Sequence, residues 1–146
     1  MKISEPLLLD SNVLVYAHNE DSSFHSQALK LVTEIIRGEI FGVLSSQNLL
    51  EFYSVITDER RLDGPLAPKL ASGLVNEYLF SPFEIIYPNL ETNKIIIEML
   101  KKNEFKNGQV FDVFLVATML SNDIRHIVTA NVTDFKKFDG ISVHPL

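Results

Sequence analysis

Apolar positions along this chain fall into blocks, and the first block sets the frame for the others. Leu7-Leu8-Leu9 is an uninterrupted apolar run, as in a strand covered on both faces. It ends abruptly at Asp10-Ser11-Asn12, before a second apolar segment, Val13-Leu14-Val15-Tyr16-Ala17. A strand that ends at a sheet edge and hands over to a helix has this pattern, and a carboxylate there stands where such a sheet opens its ligand crevice. Beyond the polar turn His18–Ser23, one stripe of Ala28, Leu31, Val32, Ile35 and Ile36 predicts a helix over Phe24–Arg37. Ser22 or Ser23 would cap it and Gly38 would stop it.

Phe41–Ser46 predicts a second strand, with its serines available to cap a helix that runs to Thr57. Asp58–Pro65 is a charged loop. The next helix starts near Pro65 or Pro68 and stops by Ser81-Pro82, since Pro is tolerated in a first turn and not in a continuing helix. Phe83–Tyr87 is a third strand closed by Pro88. Glu91–Lys102 is a helix with Ile95, Ile96, Met99 and Leu100 inward and two lysines in the favourable last turn. After the loop Asn103–Gly108 comes an almost wholly apolar helix, Gln109–Ser121, and Ile127–Thr129 and Ile141–Val143 are the fourth and fifth strands. Strands separated by helices require crossover connections, so the expected class is α/β: a three-layer α/β/α arrangement around a central, mainly parallel five-stranded sheet. A single domain over residues 1–146 is expected, with no linker, repeat or low-complexity segment.

Composition narrows the classes. Hydrophobic residues make up 46% and charged residues 22%, as in a soluble globular protein. No apolar run approaches the ~20 residues of a membrane helix. Met1-Lys2-Ile3-Ser4-Glu5-Pro6 has no apolar signal core. The absence of cysteine rules out disulfides and thiolate metal sites and fits a cytoplasmic protein. Thirteen basic against 19 acidic residues give a net charge of −6, which argues against bulk attraction to nucleic acid. It leaves room for a metal-dependent enzyme, because a divalent cation reverses the local sign of clustered carboxylates.

The acids have a shared geometry. Helix N-termini and strand C-termini lie on one rim of such a sheet. Asp10 ends the first strand, Glu51 and Asp112 lie in the first turns of their helices, and Asn131 and Asp134 follow the fourth strand, so all five project toward that rim. Each has a plainer reading. Asp112 could answer a helix dipole, Glu51 could be an exposed helical acid, and Asn131 and Asp134 are ordinary turn formers. Asp112, however, emerges from apolar neighbours, where an unpaired carboxylate normally has a partner or a cation. Oxygen ligands without Cys or a close His pair suit Mg²⁺ or Mn²⁺ better than Zn²⁺.

Four motifs, Asp10-Ser11-Asn12-Val13-Leu14, Leu50-Glu51-Phe52, Phe111-Asp112-Val113 with Ala117-Thr118, and Thr129-Ala130-Asn131-Val132-Thr133-Asp134-Phe135, occur in order along the chain. The sequence resembles the PIN-domain family of metal-dependent ribonucleases, in particular VapC-type toxins, over essentially its whole length. The resemblance implies that Asp10, Glu51 and Asp112 form an acidic site for Mg²⁺, or Mn²⁺, with Asn131, Asp134 or both in a fourth place. It implies catalysis by Asp10, Glu51, Asp112 and Asp134, and hydrolysis of RNA by metal-activated water to a 5′-phosphate and a 3′-hydroxyl. One ion or two is left open. It also implies a homodimer and an antitoxin partner whose amphipathic segment covers the groove, with no membrane association. Ser11 and Thr129 stand as supports of the site or as local caps of backbone amides.

His18, His25, His126 and His144 show no i, i+4 pair and read as surface or capping residues. Arg60-Arg61 and Lys101-Lys102 read as solvated surface or as phosphate contacts. Two other classes compete with the nuclease: a non-catalytic binding domain of the same fold, and a phosphotransferase with an aspartyl nucleophile. The latter usually has a second acid two residues on, where Asn12 stands here.

Overall fold

The computed structural model describes residues 4–146, so Met1-Lys2-Ile3 of the amino-terminal stretch lie outside the described residues. The elements follow as β1 (Leu7–Leu9), α1 (Ser11–Ala17), α2 (His25–Ile36), β2 (Gly42–Ser45), α3 (Ser46–Ile56) and α4 (Pro68–Leu79). Then come β3 (Glu84–Ile86), α5 (Leu90–Lys102), α6 (Gln109–Ser121), β4 (His126–Thr129), α7 (Val132–Phe135) and β5 (Ser142–Pro145). The sheet is five-stranded in the order β3-β2-β1-β4-β5, and every neighbouring pair is parallel. This is the expected α/β class.

The leucine run of β1 is central because both of its faces are covered. Leu7 and Leu9 enter a core with Val13, Leu14, Ala28, Ile35, Phe52 and Ile56 from α1, α2 and α3. Leu8 points the other way, into a core with Val113, Val116 and Met119 of α6 and Ile127 of β4. These are the two helical layers around the sheet. β1 pairs with β2 on one side and with β4 on the other, so the strand order reverses at β1 and the crevice outside its C-terminal end lies between β1 and β4.

Local chemistry sets the element ends, and it corrects some of the sequence expectations. α2 begins at His25 with no side-chain cap; Ser22 instead accepts the Phe24 N–H through Oγ at 3.1 Å, which shapes the turn before the helix. α3 has a reciprocal capping box between Ser45 and Asn48. Of the inward stripe expected on α5, Ile96 and Met99 pack against the core of α6 and β4, while Leu100 departs from it. α5 packs on α6 rather than on the sheet, so Leu100 is 40% exposed and Thr92 is the buried residue, its hydroxyl 2.6 Å from that of Ser121. The turn expected after β4 is a short helix, α7. β5 runs on to Pro145, tolerated there because an edge strand has one side without a hydrogen-bonded neighbour. Among the described residues no helix is long and apolar enough to cross a membrane.

β2 starts at a glycine for a steric reason. A Cβ on Gly42 would overlap the side chains of Ile35 and Phe83, which close over the strand. Gly42→Ala is expected to cost about 1–3 kcal/mol, the usual penalty of overpacking. Chemical denaturation would show it as a lower midpoint with an unchanged slope.

Candidate active site

The site begins where β1 ends. Asp10 is extended, caps α1 and continues the ladder by donating its N–H to the Val128 carbonyl at 3.0 Å. Its side chain is therefore drawn down to the rim and is only 8% exposed. Among the described residues every donor to it is neutral. The Ser11 amide reaches Oδ1 at 2.8 Å, while Asn12 Nδ2 at 3.2 Å and Thr129 Oγ1 at 2.8 Å reach Oδ2. Thr129 in turn accepts the Asn131 N–H at 3.0 Å, linking the end of β4 to the end of β1. Burial lifts the Asp10 pKa to about 6; the Thr129 and Ser11 bonds oppose the rise and the Glu51 charge adds to it.

Glu51 reaches the same place from α3. Ser11 Oγ donates to its Oε2 at 2.8 Å, and Gln47 Nε2 donates to its Oε1 at 2.7 Å. Gln47 Nε2 also donates to the Phe111 carbonyl at 2.9 Å. One side chain thus ties Glu51 to the residue before Asp112. The i, i+4 spacing of Gln47 and Glu51 is legible in the sequence; the reach to Phe111 is not, because it depends on how α3 approaches the start of α6.

Asp112 differs from both. It is half-buried and, among the described residues, its carboxylate accepts no hydrogen bond. Desolvation raises its pKa to about 6, and the charges of Asp10, Asp134 and Glu51 push the same way. Lys137 opposes them weakly, and nothing in the sequence pattern marks it for that place.

Asp10, Glu51, Asp112 and Asn131 line one open cleft of about 480 Å³, together with Ser11 and Asn12. Asp134 is exposed at the start of α7 and is absent from that lining, yet it is near enough to act on Asp112. The histidines lie elsewhere. His18 meets Tyr78 Oη at 2.7 Å, His25 meets the Tyr16 carbonyl at 2.8 Å, and His126 stands 3.0 Å from His144 and 2.9 Å from Glu5.

The donors fit a hard divalent cation in kind. They are all oxygens and, among the described residues, the Asp112 carboxylate is uncommitted and Asn12 Oδ1, buried beside Asp10, has no donor. Among the described residues no three His, Asp or Glu side chains are gathered closely enough to hold a metal ion by themselves.

Comparison with known proteins assigns the family. The model of the PIN domain matches residues 7–141. The chain belongs to the PIN domain family. This PIN domain is 28% identical over 137 residues to ribonuclease VapC48 of Mycobacterium tuberculosis, covering 92% of each chain. Its fold is similar to that of Mycobacterium tuberculosis VapC20, a Sarcin-Ricin loop cleaving toxin, with a TM-score of 0.61 at 13% identity over 83% of this chain and 86% of that one. It is also similar to a chain of a toxin–antitoxin complex from Klebsiella pneumoniae, with a TM-score of 0.59 at 15% identity over 93% and 95% of the two chains.

The two raised carboxylates give this PIN domain a defined pH response. Their folded pKa values of about 6 lie above the ordinary 3.8, so the folded state holds these protons more tightly than the unfolded state does. The resulting stabilisation is complete below pH 3.8 and is lost as pH rises through about 6. Asp112→Asn is expected to flatten this loss and, without divalent cations, to stabilise the fold at pH 7 by on the order of 1 kcal/mol once the shift is discounted for the solvent that screens this half-exposed group. Urea denaturation from pH 4 to pH 8 in EDTA measures it.

Proposed function

We propose that this chain is a divalent-cation-dependent endoribonuclease and the toxin of a toxin–antitoxin pair. The observation that carries the reading is the convergence of Asp10, Glu51 and Asp112 on one cleft at the β1/β4 crevice, with two of the three lifted to about 6. Buried like charges of this kind are costly unless the site has a use for them. The ribonuclease name of the Mycobacterium tuberculosis relative supports RNA as the substrate.

Asp10, Glu51 and Asp112 would hold Mg²⁺ or Mn²⁺, with Asn131, Asp134 or both in a fourth place. When bound, such a cation supplies a water of lowered pKa and positive charge against the phosphate oxygens. The chain's own part is to fix the ligands. Ser11 orients two acids at once, donating its amide to Asp10 and its hydroxyl to Glu51. Thr129 fixes the free rotation of Asp10, and Gln47 sets the position of Glu51 relative to the start of α6. Asp112, without such bonds, is free to turn toward an ion or a water. An aspartyl nucleophile at Asp10 is disfavoured, because both of its oxygens already accept hydrogen bonds in a buried setting.

An antitoxin segment laid over the groove and a homodimer complete the reading. Leu50 is 71% exposed and Phe111 66% exposed; they adjoin Glu51 and Asp112 in the chain and offer apolar surface beside the cleft. Leu70 and Leu79 of α4 are exposed as well. The toxin–antitoxin complex with a similar fold supports such a partner.

The test is cleavage of structured RNAs with Mg²⁺ and with EDTA. Cleavage is expected only with the cation, and Asp112→Asn should lower it at least about 100-fold with the fold retained by circular dichroism. Full cleavage by Asp112→Asn, or in EDTA, would refute the assignment.

A further inference from the structure

The acid cleft extends beyond its carboxylates. Tyr16, Asn19, Val55, Leu62 and Arg61 line it as well, and among the described residues Arg61 is the one Lys or Arg in that lining. The two arginines of the Arg60-Arg61 pair are not equivalent. Arg60 is satisfied locally: its Nε donates to Asp58 Oδ1 at 3.0 Å, a terminal nitrogen donates to Oδ2 at 3.2 Å, and its amide donates to Oδ1 at 2.9 Å. It faces a separate surface hollow with Thr57, Glu59 and Pro65. Arg61, among the described residues, forms no ion pair.

The backbone of Arg61 is held in place. The Asp58 carbonyl accepts the N–H of Arg61 at 3.0 Å and that of Leu62 at 3.1 Å, and Leu62 packs against the core beneath α1 and α3. Arg61 lines the same cleft as the carboxylates and, among the described residues, pairs with none of them. A guanidinium there presents a planar fork suited to a phosphate and needs no metal to attract one.

We propose that Arg61 forms a phosphate subsite, holding a backbone phosphate of the RNA strand next to the one cleaved at the acids. This rests on the ribonuclease reading and adds to it the path of the substrate: the strand runs along the cleft from the carboxylates to Arg61 in the loop after α3. Arg61 acts as a positioning residue. It grips a phosphate that does not react, so it binds ground state and transition state alike, and its loss should raise KM while leaving kcat unchanged.

The experiment compares the full-length wild type with Arg61→Ala, Arg61→Lys and Arg60→Ala, on one RNA that the wild type cleaves at saturating Mg²⁺. Arg61→Ala is expected to keep the wild-type denaturation midpoint, to raise KM about tenfold and to leave kcat within about twofold. Arg61→Lys should recover part of the loss, since it restores the charge without the fork. Arg60→Ala should behave as wild type. Binding of the same RNA, labelled and read by fluorescence anisotropy in an Asp112→Asn background, should lose about 0.7 from its log Kd against log salt slope when Arg61 is also replaced by Ala. Equal behaviour of Arg61→Ala and Arg60→Ala, with wild type cleaving normally, overturns the subsite. A fall in kcat at unchanged KM overturns it too, because it would place Arg61 at the reacting phosphate. If the wild type cleaves no RNA with any divalent cation, the ribonuclease reading itself fails and the subsite with it.

Discussion

Mutual repulsion among carboxylates at the C-terminal rim of the sheet is the constraint on which the rest of this structure turns. Asp10 is buried with neutral donors only, Asp112 is half-buried with none among the described residues, and Glu51 and Asp134 add their charges nearby. Such a group is held together by the fold, not by its own interactions. Each acid sits on an element whose place is fixed elsewhere: β1 by its leucines, α3 by the Ser45–Asn48 box and the burial of Leu49, Phe52 and Ile56, and α6 by an almost continuous apolar surface.

The topology makes that convergence possible. The connection after β1 runs to β2 on one side while that after β4 runs to β5 on the other, so a crevice opens between the ends of β1 and β4. The hydrogen-bond path from Asn131 through Thr129 to Asp10 closes the crevice at its base, and Gln47 spans its other side between Glu51 and Phe111. Burial and like charge then raise the affinity of the site for anything positive, be it a proton or a cation.

Much of this was legible in the sequence because it depends on local patterns. The leucine run ending in an acid, the capping serine before α3 and the apolar stretch of α6 each define an element without reference to the others, and parallel order follows from their alternation. The same rule put Asp10, Glu51, Asp112, Asn131 and Asp134 on one rim; the first four line the cleft, whereas Asp134 stands exposed outside its lining. What sequence could not show depends on tertiary placement. The α5 stripe meets the core through Ile96 and Met99 as periodicity suggests, yet α5 packs on α6 at the margin and leaves Leu100 exposed. The Asn131–Phe135 segment has turn composition but winds into α7 once Phe135 is buried. Arg60 and Arg61 are indistinguishable as letters; only the Asp58 clamp separates them. His126 and His144 meet because β4 and β5 are paired, which no spacing of four residues would reveal.

The most direct measurement is an anomalous difference map from crystals grown with Mn²⁺ at pH 7.5. A single strong peak, or a close pair, bounded by the carboxylates of Asp10, Glu51 and Asp112 is the expected result. Strong peaks confined to other sites, such as the His126–His144 pair, with the acid cleft bare at saturating Mn²⁺, would contradict it.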